Sequence, residues 1–216
     1  MKQPFKPSYK FYRGCYYIAR SILGIFYWIR VNGKENIPAG AAMVCSNHSS
    51  VMDPIFIALA FGIDYYLHFI AKVELFTVPV LSFFVIKLGA ISVNREMMDP
   101  GTMKNTLTYF KKGEKVAIFP EGTRSSEVNS IAAKSGAVKI ADRAGVPLVP
   151  VYVPRRKLIF SKLCMVIGKP YYIEKQDGKR SLDDYAELAN DLMRKIEELN
   201  PAAQAVCGPQ IRNSEL

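Results

Sequence analysis

A strand, a turn and the start of a helix follow one another in Met43-Val44-Cys45-Ser46-Asn47-His48-Ser49-Ser50-Val51-Met52-Asp53. Residues 43–45 are apolar, residues 46–50 are mostly polar, and a second apolar run covers residues 54–61. A short apolar strand that leads through a turn into a helix is a building unit of α/β proteins. The carboxyl end of such a strand is also where open α/β sheets place their ligand sites.

The same alternation of short strands and helical segments continues along the chain. Further strands are predicted at residues 90–93, 116–119, 148–153 and 164–167. Helices are predicted to run from Pro100, after an Asp99 cap, to Gly113, to cover residues 132–144, and to follow Ser181, whose spacing to Asp184 is typical of a capping box. Strands separated by helices predict an α/β fold with a mostly parallel sheet flanked by helices.

Charge and aromatic residues are concentrated at the N-terminus. The chain has 216 residues, half of them apolar, and a formal net charge of +10, which predicts an anionic partner. Up to Lys34 it carries seven basic residues, nine aromatic ones and no acidic one. Residues 1–33 are therefore predicted to form an amphipathic helical element on an anionic membrane surface. The alternative is a basic helix that packs on its own domain.

The remaining organisation is one α/β domain over residues 34–203, followed by a flexible tail at residues 204–216. Residues 75–86 are the most apolar charge-free stretch, with Pro79 inside it. A membrane-spanning helix needs about 20 residues, so no spanning helix is expected. This stretch is predicted to be either buried or dipped into a bilayer.

His48 and Asp53 are the first candidates for chemistry. A tight turn and one helical turn can bring the Asp53 carboxylate back onto one ring nitrogen of His48, which leaves the other nitrogen as a base. The alternative is an aspartate that caps the helix beside a satisfied histidine. His68, the other histidine, has no carboxylate at a similar spacing, so no metal site is expected.

A second polar cluster, Phe119-Pro120-Glu121-Gly122-Thr123-Arg124-Ser125, follows another predicted strand. Gly122 allows the backbone to approach a ligand, and Arg124 can bind phosphate with two hydrogen bonds. Arg95 lies just past the strand at residues 90–93 and is a candidate second phosphate ligand. The alternatives are a polar surface turn for the first group and a salt-bridged rim residue for Arg95.

These segments resemble the glycerolipid acyltransferase family, and especially the bacterial 1-acyl-sn-glycerol-3-phosphate acyltransferases. The Asn-His-x-x-x-x-Asp block of the family is complete at Asn47, His48 and Asp53, and its Phe-Pro-Glu-Gly-Thr-Arg-Ser block at residues 119–125. The Asp-Arg pair of the family is Asn94-Arg95 here, so the arginine is kept and the acidic residue is not. A Val-Pro-x-Val-Pro-Val strand matches at residues 146–151, and the resemblance covers residues 34–175.

The resemblance implies an activity and a role for each site residue. It implies transfer of a fatty acyl group from an acyl carrier protein or coenzyme A thioester to the sn-2 hydroxyl of 1-acyl-sn-glycerol 3-phosphate (lysophosphatidic acid), giving phosphatidic acid in phospholipid biosynthesis. It implies His48 as the general base and Asp53 as its orienting partner. The acceptor's glycerol phosphate would be bound by five residues: Arg95, Glu121, Gly122, Thr123 and Arg124.

The same resemblance implies no cofactor and a peripheral position on the cytoplasmic face of the cell membrane. Direct attack of the acceptor hydroxyl on the thioester is expected, with Ser49 or Ser50 as the alternative nucleophile. Arg155, Arg156 and Lys157 are expected to be exposed and to suit either anionic acyl donor.

Other functions fit parts of the sequence. The acceptor could instead be glycerol 3-phosphate, another lysophospholipid or an ornithine-type lipid. A nucleic-acid-binding module would explain the positive charge, but the aromatic residues lie in apolar runs and lack the glycine-and-aromatic strands of an RNA-binding sheet. A catalytically inactive protein that remodels lipid is disfavoured by the intact His48, Asp53 and Arg124.

Overall fold

The computed structural model describes residues 7–93, 100–122, 124, 133–176 and 178–207. Seven strands are present: β1 (Tyr27–Asn32), β2 (Ala42–Ser46), β3 (Leu67–Lys72), β4 (Ile91–Val93), β5 (Lys115–Ile118), β6 (Leu148–Tyr152) and β7 (Ser161–Ile167). The α-helices are α1 (Tyr9–Phe26), α2 (Asp53–Phe61), α3 (Pro79–Lys87), α4 (Pro100–Phe110), α5 (Gly136–Ala144), α6 (Leu182–Glu197) and α7 (Asn200–Cys207). Two short 3₁₀ helices cover Lys34–Asn36 and Val73–Phe76.

The strands form one sheet in the order β1-β7-β6-β2-β5-β3-β4. Every neighbouring pair is parallel except β6 and β7, which are antiparallel. All positions of β2 and β6 are buried, because helices cover both faces of the central strands. The predicted α/β fold with a mostly parallel sheet flanked by helices is confirmed.

Two buried clusters fill the space between the sheet and its helices. On one face, Tyr16 and Leu23 of α1 and Phe56 of α2 pack against the sheet. On the other face, Val138 of α5 and Leu192 of α6 are fully buried. Helix α6 begins with the predicted capping box of Ser181 and Asp184, and α5 ends at Gly145, which has a φ of 63°.

Several element boundaries differ from the sequence prediction. Strands β1 and β3 were not predicted, because their aromatic and basic residues hide the apolar pattern. Residues 27–32, which were assigned to the N-terminal helical element, form the edge strand beside β7. Helix α5 begins at Gly136 and the described residues 133–135 before it are not helical, whereas residue 132, the predicted start, lies outside the described residues. Helix α7 includes Gln204, the first residue of the expected flexible tail, and residues 208–216 of that tail lie outside the described residues.

Helix α1 is docked on its own domain, as the alternative interpretation expected. Tyr12, Tyr16 and Leu23 are buried, and the hydroxyl of Tyr12 donates to the backbone oxygen of Tyr65 at 3.2 Å. Its other face leaves apolar side chains exposed, among them Ile18 and Ile25. Among the described helices, none combines the length and apolar character needed to cross a membrane.

Candidate active site

Three parallel strands end at the same edge of the sheet and carry the candidate residues. Strands β2, β5 and β6 are neighbours, and their carboxyl ends lie at Ser46, Ile118 and Tyr152. The loops that follow them hold His48, Glu121 and residues 153–157. Parallel pairing therefore brings together three segments that are far apart in the sequence.

His48 and Asp53 form the predicted pair. Nδ1 of His48 lies 3.0 Å from Oδ2 of Asp53, which also accepts the backbone N–H groups of Ser49 and Ser50 at 2.7 Å each. The Asp53 side chain is fully buried, whereas 13% of the His48 side chain is exposed. The ring of His48 stacks on Phe119 with 4.0 Å between centroids, so packing and hydrogen bonding both fix its orientation.

The charge of Asp53 sets the tautomer of His48. Burial raises the pKa of Asp53, but the hydrogen bond from His48, the ammonium of Lys157 and the amide of Ser50 together hold the pKa below its ordinary value. An ionised Asp53 can only accept, so Nδ1 of the neutral His48 ring carries the proton. Nε2 is then left with a lone pair that can accept a proton from a substrate.

Asn47 ties the end of β2 to the end of β6. Its side-chain amide donates to the backbone oxygen of Val153 at 2.7 Å, and its side-chain oxygen accepts the backbone N–H of Val153 at 2.8 Å. Asn47 and Val153 are both completely buried. The asparagine of the first motif therefore holds two loops of the site at a fixed separation.

Glu121 connects the second motif to the first. Oε1 of Glu121 accepts the backbone N–H of His48 at 3.3 Å and a hydrogen bond from Nη2 of Arg155 at 2.8 Å. Burial raises the pKa of Glu121, and the hydrogen bond and charge of Arg155 oppose that rise. Arg155 also pairs with Glu197 of α6, which places one guanidinium between two carboxylates.

Gly122 follows with a φ of 68°, a conformation that favours glycine. A Cβ at this position would lie 2.8 Å from the end of the Lys134 side chain, which can move aside, so the positive φ is the reason for glycine here. Arg124 is exposed beyond this turn, in a position open to a ligand. Thr123 and Arg95 lie outside the described residues, so their predicted contacts with the acceptor stay predictions.

Lys157 is a member of the site that the sequence analysis did not identify. Its ammonium lies 2.8 Å from Oδ1 of Asp53 and donates to Oγ of Ser49 at 2.8 Å and to the backbone oxygen of Pro154 at 2.7 Å. The expectation that Arg155 and Lys157 are exposed was wrong. Their side chains are only 9% and 7% exposed, because each pairs with a buried carboxylate. Arg156, between them, is exposed as expected.

A histidine held by a buried aspartate, beside the turn at Glu121 and Gly122, is typical of the acyltransferases named above. The chain matches the Acyltransferase family model over residues 28–154, which is more than half of its length. It belongs to this family and is an acyltransferase. The family resemblance inferred from the sequence is confirmed.

Similar proteins and a similar crystal structure all carry the name of one kind of acyltransferase. The chain is 34% identical over 195 residues to the 1-acyl-sn-glycerol-3-phosphate acyltransferase of Bacillus subtilis (strain 168), an alignment that covers 87% of this chain and 96% of that protein. It is 28% identical to the protein of the same name from Pseudomonas aeruginosa, over 96% of this chain and 85% of that one. The crystal structure of the 1-acyl-sn-glycerophosphate (LPA) acyltransferase PlsC from Thermotoga maritima matches with a TM-score of 0.63 and 27% identity, covering 87% of this chain and 79% of that one.

Proposed function

We propose that the protein transfers a fatty acyl group from an acyl thioester to the sn-2 hydroxyl of 1-acyl-sn-glycerol 3-phosphate, which yields phosphatidic acid for phospholipid synthesis. The observation that carries this proposal is the 3.0 Å contact between His48 and Asp53, which leaves Nε2 of His48 as a base at the edge that carries the Glu-Gly-Thr-Arg turn. The names and high coverage of the bacterial relatives support the choice of acceptor.

In the proposed reaction the acceptor hydroxyl attacks the thioester carbonyl while Nε2 of His48 takes its proton. The tetrahedral intermediate collapses, the C–S bond breaks, and the imidazolium returns the proton to the leaving thiolate. General-base assistance of this kind contributes about 10²–10⁴ in rate. The ester forms as the thiolate departs, and the proton taken from the hydroxyl ends on the thiol. The reaction therefore balances without a cofactor.

The two serines beside His48 are engaged in other contacts, which favours direct attack over an acyl-enzyme. Oγ of Ser49 donates to the backbone oxygen of Arg155 at 3.0 Å and accepts from Lys157 at 2.8 Å. Oγ of Ser50 accepts the backbone N–H of Met52 at 3.2 Å. Ser49 is thus held as a structural hydroxyl, with its proton directed away from the base.

The acceptor's phosphate is proposed to bind at the turn after β5. Arg124 is exposed beside Gly122, and a guanidinium suits bidentate recognition of phosphate. Arg95 and Thr123 are proposed as further ligands from the family resemblance alone. The acyl donor is proposed to be an acyl carrier protein or coenzyme A thioester, since either anionic donor suits a chain with a net charge of +10.

The protein is further proposed to work at the cytoplasmic face of the cell membrane, bound through an apolar rim around the site. Exposed apolar side chains follow β2, β3 and β6 at the edge that carries His48, and helix α3, which leads from β3 back to the start of β4, carries three more: Val51, Val73, Leu75, Ile159 and Phe160 at the edge, and Val80, Phe83 and Phe84 on α3. The second half of α1 adds Tyr17, Ile18, Ile22, Ile25 and Phe26. We call these two sets together the apolar rim.

Aromatic contacts join helix α1 to the other parts of the apolar rim. Phe11 of α1 lies 5.6 Å from Phe83 and 5.8 Å from Phe84, and Phe26 lies 5.8 Å from Phe160, measured between ring centroids. An apolar surface that surrounds a site is expected for an enzyme whose acceptor stays in a bilayer. The basic residues of the first 34 positions would add attraction to anionic lipid.

The test is to incubate the purified protein with vesicles that contain lysophosphatidic acid and with each acyl thioester in turn, and to identify the products by mass spectrometry. Phosphatidic acid should form with at least one donor, and His48→Ala should abolish its formation while the thermal unfolding temperature stays close to that of the parent. Arg124→Ala should raise KM for the acceptor far more than KM for the donor. Turnover retained by His48→Ala, or a covalent acyl-enzyme trapped during turnover, would overturn the mechanism.

A further inference from the structure

We infer that Lys157 is a positioning residue of the reaction, which holds Asp53 so that Oδ2 faces Nδ1 of His48. The inference rests on the proposed role of His48 as the base. It adds a third side chain to the His-Asp pair, contributed by the loop between β6 and β7 and separated by about a hundred residues from the motif that contains the pair.

The ammonium of Lys157 faces three oxygen atoms. It donates to Oγ of Ser49 at 2.8 Å and to the backbone oxygen of Pro154 at 2.7 Å, and its nitrogen lies 2.8 Å from Oδ1 of Asp53 as an ion pair. An ammonium group carries three donors and no acceptor, so two hydrogen bonds and one ion pair hold it on three oxygens. Only 7% of this side chain is exposed, which leaves little surface for a substrate to contact.

Lys157 and His48 use different oxygens of the same carboxylate. Oδ2 of Asp53 accepts Nδ1–H of His48 and two backbone amides, and Oδ1 faces Lys157. Contacts on both oxygens prevent the carboxylate from rotating about its terminal bond. The direction in which Asp53 points at the imidazole is therefore set by Lys157 together with the turn at Ser49 and Ser50.

The charge of Lys157 compensates the charge of Asp53. Five charged groups are linked to His48 directly or through one another: Asp53 faces Nδ1, Lys157 faces Asp53, Glu121 accepts the His48 amide, and Arg155 and Glu197 extend that pair. Removing the ammonium leaves the carboxylate uncompensated, which stabilises the imidazolium. The base then stays protonated to higher pH.

A purely stabilising contact would not need a lysine here. Replacing a buried ion pair by apolar residues is often neutral for stability, and a compact ammonium with three separate acceptors differs from the planar fork of an arginine. The presence of a lysine at position 157 is therefore explained best by its effect on the orientation and charge of Asp53.

The experiment compares the pH profile of kcat/KM for the parent enzyme, Lys157→Met and Lys157→Arg, with Lys111→Met as the control. Lys111 is an exposed lysine after α4. Lys157→Met should lower kcat by about 10–100-fold, change KM for both substrates by less than about threefold, and move the acid limb of the profile upward by about half a pH unit or more. Lys157→Arg should not restore the rate, and Lys111→Met should leave the limb in place.

If Lys157→Met folds poorly, a double-mutant comparison still tests whether Lys157 acts through Asp53. Asp53→Asn with Lys157→Met should lose no more activity than Asp53→Asn alone, because Lys157 acts through Asp53. Multiplicative losses, an unshifted acid limb, or unchanged kcat in Lys157→Met would overturn the inference. Measuring His48→Ala alongside separates the base role of His48 from the positioning role of Lys157. Turnover in His48→Ala would reject His48 as the base. An inactive His48→Ala together with a normal Lys157→Met would reject only the role of Lys157.

Discussion

Oε1 of Glu121 accepts the backbone N–H of His48 at 3.3 Å, across a sequence separation of 73 residues. The same oxygen accepts from Arg155, whose guanidinium also reaches Glu197. The family resemblance implies that Glu121 binds the acceptor. In the structure this carboxylate joins the turn after β5 to the turn after β2, so its contacts hold the turn at Glu121 and Gly122 and the backbone of His48 in one arrangement.

Glu121→Gln is expected to lower both stability and kcat. The substituted side chain can still accept from the His48 amide, but it lacks the charge that compensates Arg155. The free energy of unfolding should fall by about 1–3 kcal/mol, the range for a buried charged hydrogen bond. Urea unfolding measures the change, with the exposed Glu187→Gln as control, expected within about 0.5 kcal/mol of the parent. A stable Glu121→Gln with an unchanged kcat but a raised acceptor KM would assign Glu121 to substrate binding alone.

Asn47→Ala is expected to destabilise the protein, because Asn47 bonds to the backbone of Val153 and has a structural role. The variant leaves the backbone N–H and oxygen of Val153 buried without their partners, and each unsatisfied group costs about 1–3 kcal/mol. Urea unfolding should therefore show a loss of roughly 2–5 kcal/mol. The exposed Asn190→Ala in α6 should differ little from the parent. An Asn47→Ala protein as stable as its control would mean that the loops are held by other contacts.

The sequence predicted the fold class, five of the seven strands, and the His48–Asp53 contact, because each of these depends on a local pattern. Apolar runs mark the inner strands, and a five-residue spacing brings a carboxylate back to an imidazole. Strand β3 was missed because His68 and Lys72 interrupt its apolar character and because Tyr65 and Tyr66 directly precede it. His68 is nevertheless buried, with Nε2 at 2.8 Å from Glu114 and its ring stacked on Tyr109.

Lys157 could not be identified from its own neighbourhood, where it is the third of three consecutive basic residues. Its contact with Asp53 exists because β6 lies next to β2 and runs parallel to it, so that the loops after both strands meet. The predicted strands alone do not specify their order in the sheet. Long-range contacts of this kind follow from topology, which explains why the polar residues after β2 and β5 were recognised and those after β6 were not.

The contribution of Asp53 to stability is expected to depend on pH. Its folded pKa lies below its ordinary value, so its ionised form stabilises the fold above about pH 4, the unfolded pKa of an aspartate, and this contribution is lost as the pH falls through the lower folded pKa. The stability gap between the parent and Asp53→Asn should thus be large at pH 7 and shrink towards pH 3. Thermal unfolding of both proteins between pH 7 and pH 3 measures this difference in stability. Asp64→Asn, at an exposed turn, should show no such trend, and a gap that stays constant with pH would contradict an ionised Asp53.

Phe83→Ser combined with Phe84→Ser is expected to weaken binding to vesicles that contain anionic lipid. Both rings are more than 40% exposed and pack against Phe11 of α1, so together they form a large aromatic part of the apolar rim. Burying an aromatic side chain contributes about 1.5–3 kcal/mol, and partial insertion of two rings should make the loss in partitioning at least about tenfold. Co-sedimentation with vesicles measures the bound fraction.

Tyr172→Ser is the matched control for this variant. Tyr172 is 66% exposed, and its neighbour Tyr171 bridges to Leu148 at the start of β6, which places it at the edge of the sheet opposite to His48. Its loss should leave vesicle binding unchanged. With a short-chain lysophosphatidic acid dissolved below its aggregation concentration, the Phe83/Phe84 variant should turn over at nearly the parental rate, because the base and its partners are intact. Equal binding of all three proteins to vesicles would show that the membrane contacts a different face.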